Sequence, residues 1–287
     1  MPANEMLIST PTTVADALFE LGNENTLAVG GGTSIALMLK NRLIEPDRLV
    51  LLNRVPTLSG VDERSTDTDT VRIGATSTLL QLMHSPLVNS ALPMLSFASS
   101  RVGNPRVRSV ATIGGAIVHG DPRQDLPPVL LALGATAHIV GPSGERDVPL
   151  SEFFIGFMES AASEDELVTE VTVPRVQGQR THYTRFTPGS EDDYPTVGVA
   201  IAMTLADDRS VKDVKIALGG VDSTAFLATE AAALLIGNRP TDELIAAAGK
   251  SAASRANPSD DQRGSEAYKR AMVDVWTRRT ITACLSD

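Results

Sequence analysis

The sequence predicts an α+β chain, and three observations carry that prediction. An apolar, β-branched stretch runs into glycines and then into a helical pattern at two places, Thr26–Ile35 and Ala111–Leu133. Beyond about residue 178 the texture changes to three strands followed by helices, a separate α+β layer. The chain has 287 residues, 42% of them apolar and 21% charged, enough to bury several cores without disulfides.

Pro11–Leu21 opens with Pro and Thr and sets Val14, Leu18 and Leu21 at helical spacing, a capped amphipathic helix. After a polar turn, Thr26–Val29 is a short buried strand and Gly30-Gly31-Gly32-Thr33-Ser34 follows at once. Ile35, Leu37, Met38 and Leu39 continue as a helix to about Lys40. Glycines permit positive φ and close approach, and the orphan N–H groups of a following helix gather an anion. The segment lacks the Lys of a Walker loop and the Gly-x-Gly-x-x-Gly spacing of a Rossmann turn. A turn with no ligand is the alternative.

Leu49–Leu52 and Val71–Ala75 read as strands, separated by a polar junction at 60–70. Thr76–Met83 restarts a helix with Thr76 or Ser77 as its cap. A helix over Leu92–Val102 stops at Gly103-Asn104-Pro105. Ala111-Thr112-Ile113-Gly114-Gly115-Ala116 then reads as a strand breaking into paired glycines, a concave backbone nest suited to phosphate. A helix over Pro127–Gly134, a hairpin Thr136–Val140/Arg146–Leu150 turning at Gly141–Gly144, and a half-buried strand Leu167–Val173 complete this part. Further on come strands Thr181–Thr187, Val197–Leu205 and Val211–Leu218, helices Thr224–Ile236 and Thr241–Ser254, and a final amphipathic helix Glu266–Cys284.

The formal net charge of −10 argues against nucleic acid or an anionic membrane surface as the main partner. Cys284 is the single cysteine, so an internal disulfide, a multi-thiolate zinc site or an iron–sulfur cluster held by this chain is excluded. His84, His138 and His182 show no ligand spacing. No basic region followed by an apolar core opens the sequence, and no run approaches the ~20 apolar residues of a membrane span, so a cytoplasmic location is expected.

Three features taken together resemble the FAD-binding medium subunits and domains of the molybdenum hydroxylases, the family of carbon monoxide dehydrogenase and xanthine dehydrogenase. They are Val29-Gly30-Gly31-Gly32-Thr33-Ser34; Thr112-Ile113-Gly114-Gly115 with Asp121-Pro122 and Asp125-Leu126-Pro127; and Leu218-Gly219-Gly220-Val221 with Ala228–Ala231, Asp261–Tyr268 and Arg278-Arg279. The resemblance covers nearly the whole chain in order. It implies a PCMH-type FAD-binding domain of two α/β subdomains, residues 1–59 and 60–177, and a smaller C-terminal α+β domain, 178–287, with a three-stranded antiparallel sheet and helices.

The resemblance implies that both glycine loops embrace the FAD diphosphate: Val29 to Ser34 from one side, and Ala111, Thr112, Gly114 and Gly115 from the other. Asp125 matches an aspartate near the flavin's sugar and ribityl hydroxyls, and an N-cap of the next helix is its other reading. Leu167 and Val168 match a strand whose backbone meets the ring edge, or are plain strand core. Arg185 matches a basic residue near the ring's carbonyl end, or forms a surface salt bridge with Glu191 or Asp192. Tyr194 falls where relatives place an aromatic near the ring, and His119 where they place a polar residue near the cofactor. Two departures bear on tuning: Ala116 replaces the family's Asn after the paired glycines, and Arg108-Ser109 replaces its Arg-Asn.

The implied function is electron transfer within a heterotrimer, from two 2Fe-2S clusters of a small iron–sulfur subunit through FAD to an external acceptor. The molybdopterin cofactor and the hydroxylation of substrate belong to a large partner subunit, and a dimer of heterotrimers is implied. No catalytic side chain and no metal site are expected in this chain. The alternative is a stand-alone FAD-dependent oxidoreductase of the same superfamily.

Overall fold

The computed structural model describes residues 6–63 and 69–286. It begins with a parallel sheet of three strands in the order β1-β3-β2, formed by β1 (Leu7–Ser9), β2 (Thr26–Val29) and β3 (Arg48–Leu51). Helix α1 (Val14–Leu21) packs on it and α2 (Thr33–Lys40) links β2 to β3. Thr13 caps α1 by accepting from the Asp16 N–H at 3.1 Å. Strand β1 is too short for periodicity to announce it, and exists because it pairs with β3. Ala17, Leu21, Val50, Leu52, Val55 and Leu58 form this layer's core, closed by Leu167 from far along the chain.

A five-stranded antiparallel sheet follows, ordered β4-β5-β10-β6-β7. Its strands are β4 (Val61–Glu63), β5 (Thr70–Gly74), β6 (Thr136–Gly141), β7 (Gly144–Pro149) and β10 (Leu167–Pro174). Between β5 and β6 lie α3 (Leu79–His84), α4 (Pro86–Ala91), α5 (Pro93–Arg101), α6 (Pro105–Arg108), α7 (Ile113–Val118) and α8 (Leu126–Leu133). Between β7 and β10 lie α9 (Leu150–Phe153) and a small hairpin, β8 (Phe154–Gly156) and β9 (Glu159–Ser160). Of the expected junction at 60–70, β4 occupies the start, and residues 64–68 lie outside the described set.

Several expectations change here. The cap of α3 is Thr78, not Thr76 or Ser77, because Thr78 and Gln81 form a reciprocal capping box. The Gly103–Pro105 stop is also a start, since Asn104 caps α6 through the N–H groups of Arg106 and Val107. The stretch Ile113–Ala116 is not a strand end but the first turn of α7, capped by Thr112. β-Branched residues there suggested a strand, but the cap and the burial of Ile113 and Ile117 decide for helix. Strand β10, expected to be half-buried, is central in its sheet and mostly buried.

The third sheet is antiparallel, ordered β11-β12-β13-β14. It comprises β11 (Arg180–Phe186), β12 (Val197–Leu205), β13 (Val211–Gly219) and β14 (Phe226–Leu227). To the three strands read from the sequence it adds a fourth of two residues, so the expected helix from Thr224 begins only at α10 (Thr229–Leu235). Helices α11 (Asp242–Arg255) and α12 (Glu266–Ser286) follow. Alternation along β12 sorts the sheet's faces. Val197, Val199, Ile201 and Met203 join the core under α10–α12, while Ala200 and Ala202 face the core that holds α8. Small side chains on that face let α8 lie close to β12 and β13. Every residue of α8 is buried, at about 1.5–3 kcal/mol for each large apolar side chain removed from water.

Candidate cofactor site

The two glycine segments meet. A Cβ on Gly31 would stand 1.9 Å from the carbonyl oxygen of Val110 and 2.8 Å from the Ala111 Cα. A Cβ on Gly30 would stand 2.6 Å from the Thr112 Oγ1. Close approach of the second segment's backbone therefore requires glycine at 31, and at 30 a side chain would displace the Thr112 hydroxyl. Gly32 follows with φ of 72°, a left-handed conformation, and is the N-cap of α2. It offers no capping side chain, so the first-turn N–H groups of Thr33, Ser34 and Ile35 have no intrahelical acceptor. This is an open, positively polarised helix end. Val29, at the end of β2, is buried beneath it.

The second segment is built differently from the expected nest. The N–H of Ile113 donates to the Ser77 carbonyl at 3.1 Å and that of Gly114 to the Ala75 carbonyl at 2.9 Å. The N–H of Gly115 donates to the Thr112 Oγ1 at 3.1 Å. The first two donors hold the segment to the loop after β5 and the third is taken by the helix cap, so none of the three faces outward. Gly114 is glycine because a Cβ would lie 2.7 Å from the Ala75 Cβ. Gly115 is exposed, so it presents bare backbone surface beside Thr112. The Thr112 hydroxyl accepts from Gly115 and keeps its own proton for donation.

Asp125 opens α8 but makes no capping bond. Its side chain is buried, with 3% of the residue exposed. Its Oδ1 accepts from the Tyr183 hydroxyl at 2.8 Å and from the Arg185 Nε at 2.8 Å. Its Oδ2 takes no hydrogen bond among the described residues. Burial pushes the Asp125 carboxyl above its usual range, opposed by the Arg185 charge and the Tyr183 hydroxyl. Arg185 is not the surface ion pair of the alternative reading. Its guanidinium is buried, spanning Asp125 and the backbone carbonyls of Glu191 and Asp193.

His119 caps the C-terminal end of α7, half-buried, and burial lowers its pKa against the opposing charge of Asp121. Gly120, with φ of 64°, takes the β8–β9 hairpin against its backbone. Leu167 and Val168, at the start of β10, send their side chains into two different cores, which leaves only backbone to face a ligand. Tyr194 is 42% exposed and lies between two guanidiniums, Arg123 at 5.9 Å and Arg263 at 5.8 Å from the ring centre. Burial raises its pKa. Arg263 also pairs with Asp193 at 2.5 Å, a bond that holds the Asp193 carboxyl below its usual range.

Sequence reasoning missed Tyr183, Arg123 and Arg263. Only Tyr183 had a local signal: it stands two residues before Arg185 on one strand, so both face the same side. Among the described residues no His, Cys, Asp and Glu cluster could hold a metal, and no helix is long and apolar enough to cross a membrane. The donors present suit a dinucleotide. An open helix end meets phosphate, a Cβ-free surface admits close approach, and a buried carboxylate keeps one oxygen for a hydroxyl.

Residues 4–176 match the family model described as the FAD binding domain in molybdopterin dehydrogenase, and residues 182–284 match the CO dehydrogenase flavoprotein C-terminal domain. The glyceraldehyde dehydrogenase medium chain of Sulfolobus acidocaldarius is 36% identical over 91% of this chain and 91% of its own length. The carbon monoxide dehydrogenase medium chain of Hydrogenophaga pseudoflava is 34% identical over 95% of this chain and 94% of its own. A solved structure of carbon monoxide dehydrogenase from Hydrogenophaga pseudoflava superimposes with a TM-score of 0.95 at 34% identity, covering 100% of this chain and 99% of that one.

Proposed function

Because the chain belongs to the family of FAD-binding medium subunits of the carbon monoxide dehydrogenase type of molybdenum hydroxylase, we propose that it serves as the flavin relay of such an oxidoreductase, with FAD seated where the two glycine segments meet. The contact of Gly30 and Gly31 with Val110–Thr112 carries this reading. It brings the open end of α2 and the bare surface of Gly115 to one place, and no ligand-free turn needs that convergence. The N–H groups of Thr33, Ser34 and Ile35 would hold the diphosphate, helped by the Thr112 hydroxyl. Asp125 would accept from a sugar or ribityl hydroxyl through Oδ2. Tyr194 and the strand start at Leu167 and Val168 would border the ring, with His119 close by. Arg185 is held by Asp125 and by the carbonyls of Glu191 and Asp193, so its role would be exerted chiefly through Asp125 and the loop at 191–193.

Held by these residues, FAD would supply the redox chemistry that links iron–sulfur clusters of a partner subunit to an external acceptor. The relatives named as medium chains and medium subunits support a chain that works beside a large molybdopterin subunit and a small iron–sulfur subunit. The residues of this chain bind and orient the cofactor, and none need act as an acid or base. Domain limits near 59 and 177 and a cytoplasmic dimer of heterotrimers complete the proposal. Two measurements test it. The purified chain should take up about one FAD per chain, as expected for one site; a protein that stays colourless after reconstitution overturns the site. Purification from its native host should bring two unlike chains with molybdenum and iron; a flavoprotein that runs alone and is fully active overturns the subunit assignment.

A further inference from the structure

The C-terminal sheet packs along α8, and two side chains of β11 reach past that contact to the carboxylate of Asp125. Tyr183 is the one buried residue of β11. A phenylalanine would fill the same space, so the hydroxyl is there for a partner, and the partner is Asp125 Oδ1 at 2.8 Å. Burial pushes the Tyr183 hydroxyl well above its usual pKa, so at neutral pH it stays protonated and donates. Room for it comes from Gly198 on β12, where a Cβ would lie 3.0 Å from the hydroxyl oxygen. Gly219, opposite Gly198 on β13, gives matching clearance, since a Cβ there would meet Pro128 at 3.0 Å and the Pro122 carbonyl at 3.2 Å. The Gly220 N–H donates to that carbonyl at 2.7 Å. The sheet is thus docked onto the segment that carries Asp125.

We propose that Tyr183 is a positioning residue for the cofactor: with Arg185 it holds the buried Asp125 by one carboxylate oxygen and so keeps the other for a hydroxyl of FAD. This rests on the reading that Asp125 belongs to the FAD site. Arg185 is itself fixed by the carbonyls of Glu191 and Asp193, so the Oδ1 position is set from the C-terminal side by two donors that cannot drift. Oδ1 is occupied by both donors and Oδ2 is not among the buried unpartnered polar atoms of the described residues, so Oδ2 is the oxygen left accessible to a ligand hydroxyl. The charged and titratable groups facing Asp125 are Tyr183 and Arg185 from β11, Arg101 from α5 and Tyr194 from the loop before β12. The Tyr183 bond favours the ionised carboxylate, so its loss makes Asp125 protonate at higher pH.

The test is titration of FAD into the deflavinated full chain, followed by flavin fluorescence from acid to neutral pH, for wild type, Tyr183→Phe and Asp125→Asn. In Tyr183→Phe the affinity should fall about tenfold, the usual worth of a hydrogen bond to a charged group, and the acid limb of binding should move to higher pH. A merely packing role would lower the melting temperature and leave the acid limb in place, and that result overturns the proposal. Asp125→Asn should lose the acid limb altogether. If it binds FAD as wild type does, the placement of Asp125 fails and the proposal with it. If it weakens binding while Tyr183→Phe does not, only the role of Tyr183 fails. Should Tyr183→Phe fold poorly, Gly198→Val puts a branched side chain against the same hydroxyl from β12, where even a Cβ would stand 3.0 Å away, and should shift the limb the same way; a folded Gly198→Val with a wild-type limb overturns the proposal.

Discussion

At Gly31 the carbonyl oxygen of Val110 occupies the place where a side chain would begin. Gly31→Ala must therefore prise the two glycine segments apart, and a cost of about 1–3 kcal/mol, typical of overpacking, is expected in a denaturant titration of the apo chain. Gly115 poses the opposite case, because it is exposed and its Cβ would meet only the Thr112 hydroxyl at 3.0 Å. Gly115→Val should leave a folded protein with strongly reduced FAD content. Cys284→Ser, in the core under α12, should lower the melting temperature and leave FAD content unchanged. Released flavin per folded chain, measured for both, checks the pair, and equal content would mean the site lies elsewhere.

Caps and hairpins set the next scale. The capping box of α3 joins the side chains of Thr78 and Gln81, while the backbone of Thr78 pairs with Thr112 in an isolated β-bridge. Thr78→Ala removes the capping hydroxyl and keeps the backbone bridge to Thr112, so it should cost about 1 kcal/mol of stability with little change in FAD affinity, read by thermal melting and flavin titration. The β6–β7 hairpin carries a titratable pair set of its own. Partial burial pushes His138 down, but its bonds to Asp147 at 2.7 Å and Glu145 at 3.1 Å prevail and raise it above 6.5. A raised histidine stabilises the fold fully below its unfolded pKa, and the contribution disappears as pH rises through the folded value. His138→Gln should therefore lower the melting temperature in mild acid and have little effect above neutrality. A difference that grows with pH would reverse the sign.

For the molecule as a whole, α8 is the joint. One side meets the five-stranded sheet and its helices, the other the alanine face of β12 and β13. A chain ending at residue 177 would uncover α8 and lose both Tyr183 and Arg185, so it should aggregate and fail to retain FAD. Soluble, yellow protein of that length would show that the C-terminal layer is dispensable. Ala200→Leu and Ala202→Leu should each force α8 away from the sheet, costing about 1–3 kcal/mol by overpacking, with FAD affinity reduced through Asp125 at the helix start.

Much of this was legible in the residues. The strand–glycine–helix pattern at Thr26–Lys40, the hairpin turning at Gly141–Gly144 and the long strands β12 and β13 each follow from local periodicity and turn chemistry, which depend on neighbours in sequence. Composition alone ruled out a thiolate metal site. Ile113–Ala116 was misread because β-branched residues and glycines mark a strand end locally, whereas a cap from Thr112 and burial against the loop after β5 make it helix. Asp125 was legible as important, but its partners were not. Tyr183 and Arg185 reach it from the other side of α8, and no local pattern encodes which face of one layer meets another. Local residue patterns were enough for most of the elements and for the two glycine segments, but not for β1, β14 or α7, whose existence depends on partners distant in the chain. Only the tertiary structure decided that the first segment keeps its N–H donors open while the second spends them inward, since that choice is made by backbone groups of Ala75 and Ser77, far away in the chain.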